Sequence, residues 1–163
     1  MVFAGHFEHA IDEKNRLSIP AKLRARWSKD RDGDGFYVVP GRQSGTLWLY
    51  TERHFEALSE YAESSLIPDE NQLDFDEIYF PLAEFVELDS QGRILLPDRM
   101  VKRAEIGREV VISGVRDHVE ISRRDDFERK MTERWSKFHE IQQKAREAYK
   151  QARRQPGREA GET

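Results

Sequence analysis

Two segments of this chain carry the same acid and the same base at the same spacing. Asp12 and Arg16 stand four residues apart in Ile11-Asp12-Glu13-Lys14-Asn15-Arg16-Leu17-Ser18-Ile19-Pro20. Asp89 and Arg93 do so in Leu88-Asp89-Ser90-Gln91-Gly92-Arg93-Ile94-Leu95-Leu96-Pro97, 77 positions later. An Asp-x-x-x-Arg pair across a tight turn sets a carboxylate at the end of one strand and a guanidinium at the start of the next, where the two side chains meet. A hairpin salt bridge alone contributes about 0–1 kcal/mol at a surface, which hardly demands duplication. The second reading is that Asp12 and Asp89 orient Arg16 and Arg93, whose forked donors suit phosphate or guanine better than lysine does.

Lys14, Lys22, Arg24 and Arg26 flank the first motif, and Arg99, Lys102 and Arg103 flank the second. Each motif therefore sits in a local basic cluster, the footprint of a polyanion-binding surface. Arg16, Arg93, Lys14, Lys22, Arg24 and Arg99 are the candidate DNA contacts. A groove-facing β-hairpin with basic neighbours is a known DNA-reading geometry, and oligomerisation would multiply a weak contact.

The elements that must position these residues repeat as well. Residues 7–12 and 84–89 are strand candidates, followed by turns whose fourth residues, Asn15 and Gly92, are types that tolerate positive φ. Arg16 to Ile19 and Arg93 to Leu96 then form second strands of two hairpins. Pro20 and Pro97 open short helices with Leu23 and Trp27, or Met100 and Ala104, facing inward and Gly107 as a stop in the second copy. Strands at 36–39 and 46–50, joined by the Gly41–Gly45 loop, are matched by 109–113 and 118–121, joined at 114–117. Thr51 and Ser122 are candidate N-caps of helices near 52 and 123, with Ser122 and Asp125 spaced as a capping box.

A linker is expected at 64–69. An amphipathic helix follows over 69–80, with Leu73, Phe75, Tyr79 and Phe80 toward the buried side and Pro81 ending it. From Arg124 to about Arg154, Met131, Trp135, Phe138, Ala145, Tyr149 and Ala152 recur at spacings of three, four or seven, which predicts a long helix with a coiled-coil-like seam interrupted by Gln142. Pro156 and Gly157 end it, with a flexible tip beyond. The expected divisions are a first repeat at 1–63, linker and helix at 64–83, a second repeat at 84–128, and a basic helix and tail at 129–163.

Composition narrows the chemistry. The 163 residues have no cysteine, which removes disulfides, thiolate metal clusters and a cysteine nucleophile together. Net charge is −4, yet ten Lys/Arg against five Asp/Glu from 129 onward give the tail +5 and leave −9 on the preceding residues. Apolar runs reach only four residues, as at Phe36 to Val39, far short of the roughly 20 that span a bilayer, and no signal-peptide pattern opens the chain.

No base, nucleophile and oxyanion donors form a recognisable catalytic set. The histidines are scattered at 6, 9, 54, 118 and 139. His6, Glu8 and His9 alternate across a strand and do not make one metal site. Gly41 to Thr46 lacks the lysine and glycine spacing of a phosphate loop. No catalytic residue, metal, cofactor, membrane contact or small-molecule substrate is expected.

At its two motifs the sequence resembles the MraZ family, bacterial regulators built from two AbrB-like halves and encoded at the head of the division and cell-wall gene cluster. The resemblance covers about residues 1–135. It rests on Phe3-x-Gly5 with Glu8-His9, on Ile11-Asp12-x-Lys14-x-Arg16-Leu17-x-Ile19-Pro20-Ala21, and on Leu88-Asp89-x-Gln91-Gly92-Arg93-Ile94-Leu95-Leu96-Pro97. It implies a β-rich α+β fold, a double-split β-barrel from pseudo-twofold pairing of the repeats, with a long C-terminal helix. It further implies a ring-like homo-oligomer, cytoplasmic and nucleoid-associated, that binds short direct repeats in double-stranded promoter DNA, its own promoter included, as a repressor. Arg16 and Arg93 are then the DNA-contacting residues and Lys14 a phosphate contact.

The chain departs from the family pattern in three places. Asn15 replaces the usual turn glycine, the helix at Asp74 to Ala83 lacks the usual Arg and Phe-Ala-Gly-Ala stretch, and the basic extension beyond Trp135 is longer. The alternative reading is an AbrB-like antitoxin or interaction module that binds a protein through the C-terminal helix, with Trp135, Phe138 and Tyr149 as anchors. The two repeats argue against it, since antitoxins of this fold usually carry one. RNA binding ranks third, for want of the aromatic stacking signature of common single-strand readers.

Overall fold

Alternating apolar residues with a period of two build the main layer of the fold, and the repeat decides how its strands pair. The computed structural model describes residues 2–61 and 69–154; the linker expected at 64–69, Asp69 apart, and the tip beyond 154 lie outside them. The described elements are β1 (His6–Ala10), β2 (Arg16–Ser18), α1 (Ala21–Arg24), α2 (Lys29–Asp32), β3 (Gly35–Pro40), β4 (Thr46–Thr51), α3 (Glu52–Tyr61), α4 (Glu70–Leu82), β5 (Glu84–Glu87), β6 (Arg93–Leu95), α5 (Asp98–Arg103), β7 (Glu109–Val115), β8 (His118–Arg123), α6 (Arg124–Ser136) and α7 (Phe138–Arg154).

Six strands form one sheet in the order β1-β7-β8-β4-β3-β5, and β2 with β6 forms a separate two-stranded ribbon. The hairpins expected from 7–12 with 16–19 and from 84–89 with 93–96 do not form. β1 pairs with β7 and β5 with β3, so each repeat lends its first strand to the other. β4 and β8 meet at the centre, with Trp48 opposite Glu120 and Leu49 opposite Val119. In the ribbon, Leu17 lies opposite Ile94, residues equivalent by the 77-position offset.

The physical reason lies in the core. Ile11, Leu17, Ile94 and Leu96 are buried in one cluster with Phe36, Val38, Leu47, Leu49, Ile112 and Ile121. The ribbon lays Leu17 and Ile94 into the cluster that the sheet residues also fill. The chain therefore crosses from one layer to the other at each Asp-x-x-x-Arg turn, and a continuous hairpin would pull one strand out of the core. Each fully buried Leu or Ile contributes about 1.5–3 kcal/mol, and the ladder bonds that the hairpins would have made are made instead to β7, to β3 and across the ribbon. A smaller cluster, Val39, Tyr50 and Phe55 with Tyr37, Trp48 and Tyr79, involves the alternate positions of β3 and β4.

Several local expectations are corrected. The second-copy helix ends with Glu105, not Gly107, in the left-handed region at φ 51, where Ile106 N–H donates to the Val101 carbonyl. Ser122 is no N-cap: it lies within β8, its buried Oγ has no hydrogen-bond partner among the described residues, and α6 starts two residues later. The capping box forms at α4 instead, where Asp69 accepts from the backbone and Gln72 returns a bond to the Asp69 N–H. That helix runs through Pro81 to Leu82, because a proline within the last turn forfeits only one bond. Its apolar side is not buried, since Leu73, Phe75, Ile78 and Phe80 are exposed and only Tyr79 joins the second cluster.

Residues 1–126 and 127–163 separate as two units. In the second, the long helix expected over 124–154 is interrupted at Lys137 between α6 and α7. Ile141 N–H still reaches the Lys137 carbonyl at 3.0 Å. Ile141, absent from the expected seam, stands three residues after Phe138 and four before Ala145, so the apolar stripe passes beside Gln142 without a gap.

Candidate nucleic-acid interface

Each turn is held by its aspartate twice over. Asp12 Oδ1 accepts from the backbone N–H groups of Lys14 at 2.9 Å and Arg16 at 2.8 Å, while Oδ2 accepts from Arg16 Nε at 2.7 Å. Asp89 repeats the pattern with Gln91 N–H at 2.9 Å, Arg93 N–H at 3.0 Å and Arg93 Nε at 2.8 Å. Arg93 adds a second contact, Nη2 to Oδ2 at 2.7 Å. One oxygen fixes the backbone of the turn and the other fixes the guanidinium, so the structural and the orienting roles belong to one residue.

The left-handed position is Asn15 at φ 58 in the first turn and Gly92 at φ 73 in the second. Each turn is then tied to the opposite repeat, since Ile19 N–H donates to the Gly92 carbonyl and Leu96 N–H to the Asn15 carbonyl. The side groups differ. Asn15 Nδ2 donates to Asp98 Oδ1 at 3.2 Å, whereas the Arg24 guanidinium lies over Gly92, in the place that a Cβ there would need.

Alternation along the ribbon sends Leu17 and Ile94 inward and Arg16, Ser18, Arg93 and Leu95 to the opposite face. Arg16 stands opposite Leu95, and Arg93 opposite Ser18. Both motif arginines thus occupy one face of a two-stranded antiparallel ribbon, about 7 Å apart along the strand direction. Leu95 is 61% exposed between them. The motif reading passed over Ser18 and Leu95, although counting by two from Arg16 and Arg93 reaches both.

The flanking cations divide. Lys14 and Lys22 have no side-chain partner among the described residues. Arg99 is held by Glu84 through Nε at 3.1 Å and Nη2 at 2.9 Å, and Lys102 by Asp98 at 2.6 Å. Arg24, half-buried, donates Nε to the Ile19 carbonyl at 3.0 Å. Of the six expected contacts, the structure brings Arg16 and Arg93 together on the ribbon, leaves Lys14 and Lys22 unengaged, and gives Arg24 and Arg99 intramolecular partners.

The carboxylates respond to these partners. The Arg16 backbone N–H, then its side chain, hold Asp12 below its ordinary value of 3.8. The Arg93 side chain, then its N–H, bring Asp89 down to about 2. Both acids are ionised at neutral pH, and the arginines retain free N–H groups for a further acceptor.

Among the described residues no three His, Cys, Asp or Glu side chains converge on a metal-sized site. Nor is any described helix long and apolar enough to cross a membrane.

Comparison with known proteins covers both repeats. Residues 2–76 and 80–154 match the family described as "MraZ protein, putative antitoxin-like". The chain is 34% identical over 139 residues to the Transcriptional regulator MraZ of Heliobacterium modesticaldum, covering 85% of this chain and 87% of that protein. With the Transcriptional regulator MraZ of Mycoplasmoides gallisepticum it shares 35% identity over 143 residues, 86% and 94% of the two chains. With that of Clostridium acetobutylicum it shares 33% over 120 residues, 74% and 80%.

Proposed function

This chain belongs to the MraZ family, a family of regulators and not of enzymes, and from that premise we propose that it is a DNA-binding transcriptional regulator that reads its operator with the β2·β6 ribbon. One observation carries the reading: Arg16 and Arg93, from different repeats, share the outer face of one two-stranded ribbon, each held by its own aspartate. The major groove of B-DNA admits such a ribbon, and an arginine fork matches guanine O6 and N7. Leu95 supplies an apolar contact suited to a thymine methyl, and Ser18 a hydroxyl. Lys14 and Lys22 fix the ribbon on phosphates, which positions it without reading sequence.

The finer reading follows the resemblance. The protein represses promoters of the division and cell-wall cluster, its own included, by binding short direct repeats as a ring-like homo-oligomer in the nucleoid. The exposed Leu73, Phe75, Ile78 and Phe80 of α4 support self-association, because an apolar stripe of that kind marks an interaction surface. We divide the chain into repeats at 1–63 and 84–128, a connection at 64–83 and a basic extension at 129–163.

A second reading gives the extension a protein partner, favoured by Trp135, 74% exposed and stacked on Phe138 at 5.6 Å. Fluorescence-anisotropy titration separates the two, using DNA from upstream of the protein's own gene against a scrambled duplex. Wild type prefers the promoter, and Arg16→Ala with Arg93→Ala, folded by circular dichroism, loses the preference. If that variant keeps it, the ribbon reading fails. If truncation near residue 128 abolishes binding, the extension carries it instead.

A further inference from the structure

The two repeats fill equivalent spaces differently, and one space is left open. Beside the β7–β8 turn, the N-terminal segment lies along the chain, with Phe3 N–H donating to the Arg116 carbonyl at 2.8 Å and Arg116 N–H to the Phe3 carbonyl at 3.0 Å. Phe3 is 1% exposed, and Trp27, four residues after Leu23, packs against the same core. The 77-position offset maps Phe3 to Phe80 and Trp27 to Ala104. Phe80 is turned away onto Phe55, ring centroids 5.9 Å apart, and stays 39% exposed. Ala104 has no ring at all.

The corresponding place, between the β3–β4 loop and α5, is a cavity of about 240 Å³. Leu47, Leu82, Met100 and Ala104 contribute apolar lining, with Arg42 and Arg103 on its border. Neither arginine has a side-chain partner among the described residues. The loop is braced by the Thr46 hydroxyl, which donates to the Gln43 carbonyl at 2.6 Å, so its shape is set before anything binds.

We infer that this cavity binds a small amphiphilic organic anion, an aromatic or branched aliphatic body carrying a carboxylate or phosphate. The body takes the space that Phe3 and Trp27 fill in the other half, and the anion meets Arg42 and Arg103. The volume lies below the roughly 300–1,000 Å³ of drug-sized sites, which confines the occupant to a fragment about the size of a substituted indole. The inference does not depend on the DNA reading.

Isothermal titration calorimetry of the full chain with indole propionate, and with indole propanol as its uncharged counterpart, tests it. Wild type binds the propionate with about millimolar affinity or better and the alcohol about tenfold more weakly. Ala104→Trp, which restores the ring found in the other repeat, abolishes binding of both. Arg42→Ala with Arg103→Ala makes the two ligands bind alike; both side chains are exposed, so this variant decides the matter even if Ala104→Trp fails to fold. Absence of heat with wild type up to about 10 mM propionate, or unchanged affinity in a folded variant of either kind, overturns the inference.

Discussion

The Asp12–Arg16 and Asp89–Arg93 turns share a backbone plan but not an electrostatic setting. Arg16 keeps one side-chain bond to Asp12 and 36% exposure, beside the unengaged Lys14 and Lys22. Arg93 is held by two nitrogens at 25% exposure, in a neighbourhood where Glu84 and Asp98 already neutralise Arg99 and Lys102. The equivalent positions explain the difference: Gln91 replaces Lys14, Glu84 replaces Phe7, and Asp98 replaces Ala21. The two copies share the fold of the motif, while the neighbouring residues leave more unpaired positive charge around the first than around the second.

The largest effect should be the one that treats both copies alike. Leu17→Ala and Ile94→Ala empty equivalent sites beneath the ribbon, and each should cost about 2–5 kcal/mol of stability by urea denaturation. A large inequality between them would show that the ribbon is not shared evenly. Next, Arg16→Ala should weaken promoter binding by about 1–3 kcal/mol and Arg93→Ala by less, as judged by anisotropy titration. The reverse order would sink the account of unequal copies.

Gly92→Ala should cost about 1 kcal/mol or more, because it imposes a Cβ at positive φ against the Arg24 guanidinium. Asn15→Gly should change stability by less than about 1 kcal/mol, trading the Asp98 bond for an unstrained turn. The smallest effects are read from salt dependence. Lys22→Ala should flatten the slope of log affinity against log salt by about 0.9, Arg99→Ala should barely move it, and Glu84→Gln should steepen it by freeing Arg99.

Acid offers a further separation of the turns. Asp89 has its carboxyl at about 2, below the ordinary 3.8, so its ionised form favours the fold above about pH 4 and that contribution is lost as pH falls toward 2. Carboxyl titration by NMR should place the Asp89 midpoint near 2. A midpoint near 4 would mean that the Arg93 pairing is absent in solution.

Much of this was legible in the residues themselves. The twofold repetition, the strands at 36–39 and 109–113, the short helices after Pro20 and Pro97, and positive φ at Asn15 and Gly92 all follow from local rules of period and turn chemistry. Pairing does not, because Ile11 and Leu17 read alike whether their strands run as a hairpin or part between two layers. Only the shared burial of Leu17 with Ile94 decides that, and it depends on residues 77 positions away. The same holds for Arg24 and Arg99, basic in sequence yet committed to Ile19 and Glu84 by the fold. At Ser122 the capping spacing was present, but pairing with Thr46 and Val111 kept the residue in its strand.

The central claim is that the forked arginines on the ribbon read bases, and charge alone does not. Arg16→Lys with Arg93→Lys keeps both positive charges and removes both forks. Titrated by anisotropy against promoter and scrambled duplexes over a range of salt, it should retain wild-type affinity for scrambled DNA and the wild-type salt slope while losing the promoter preference. Preference left intact in that double variant would contradict the account.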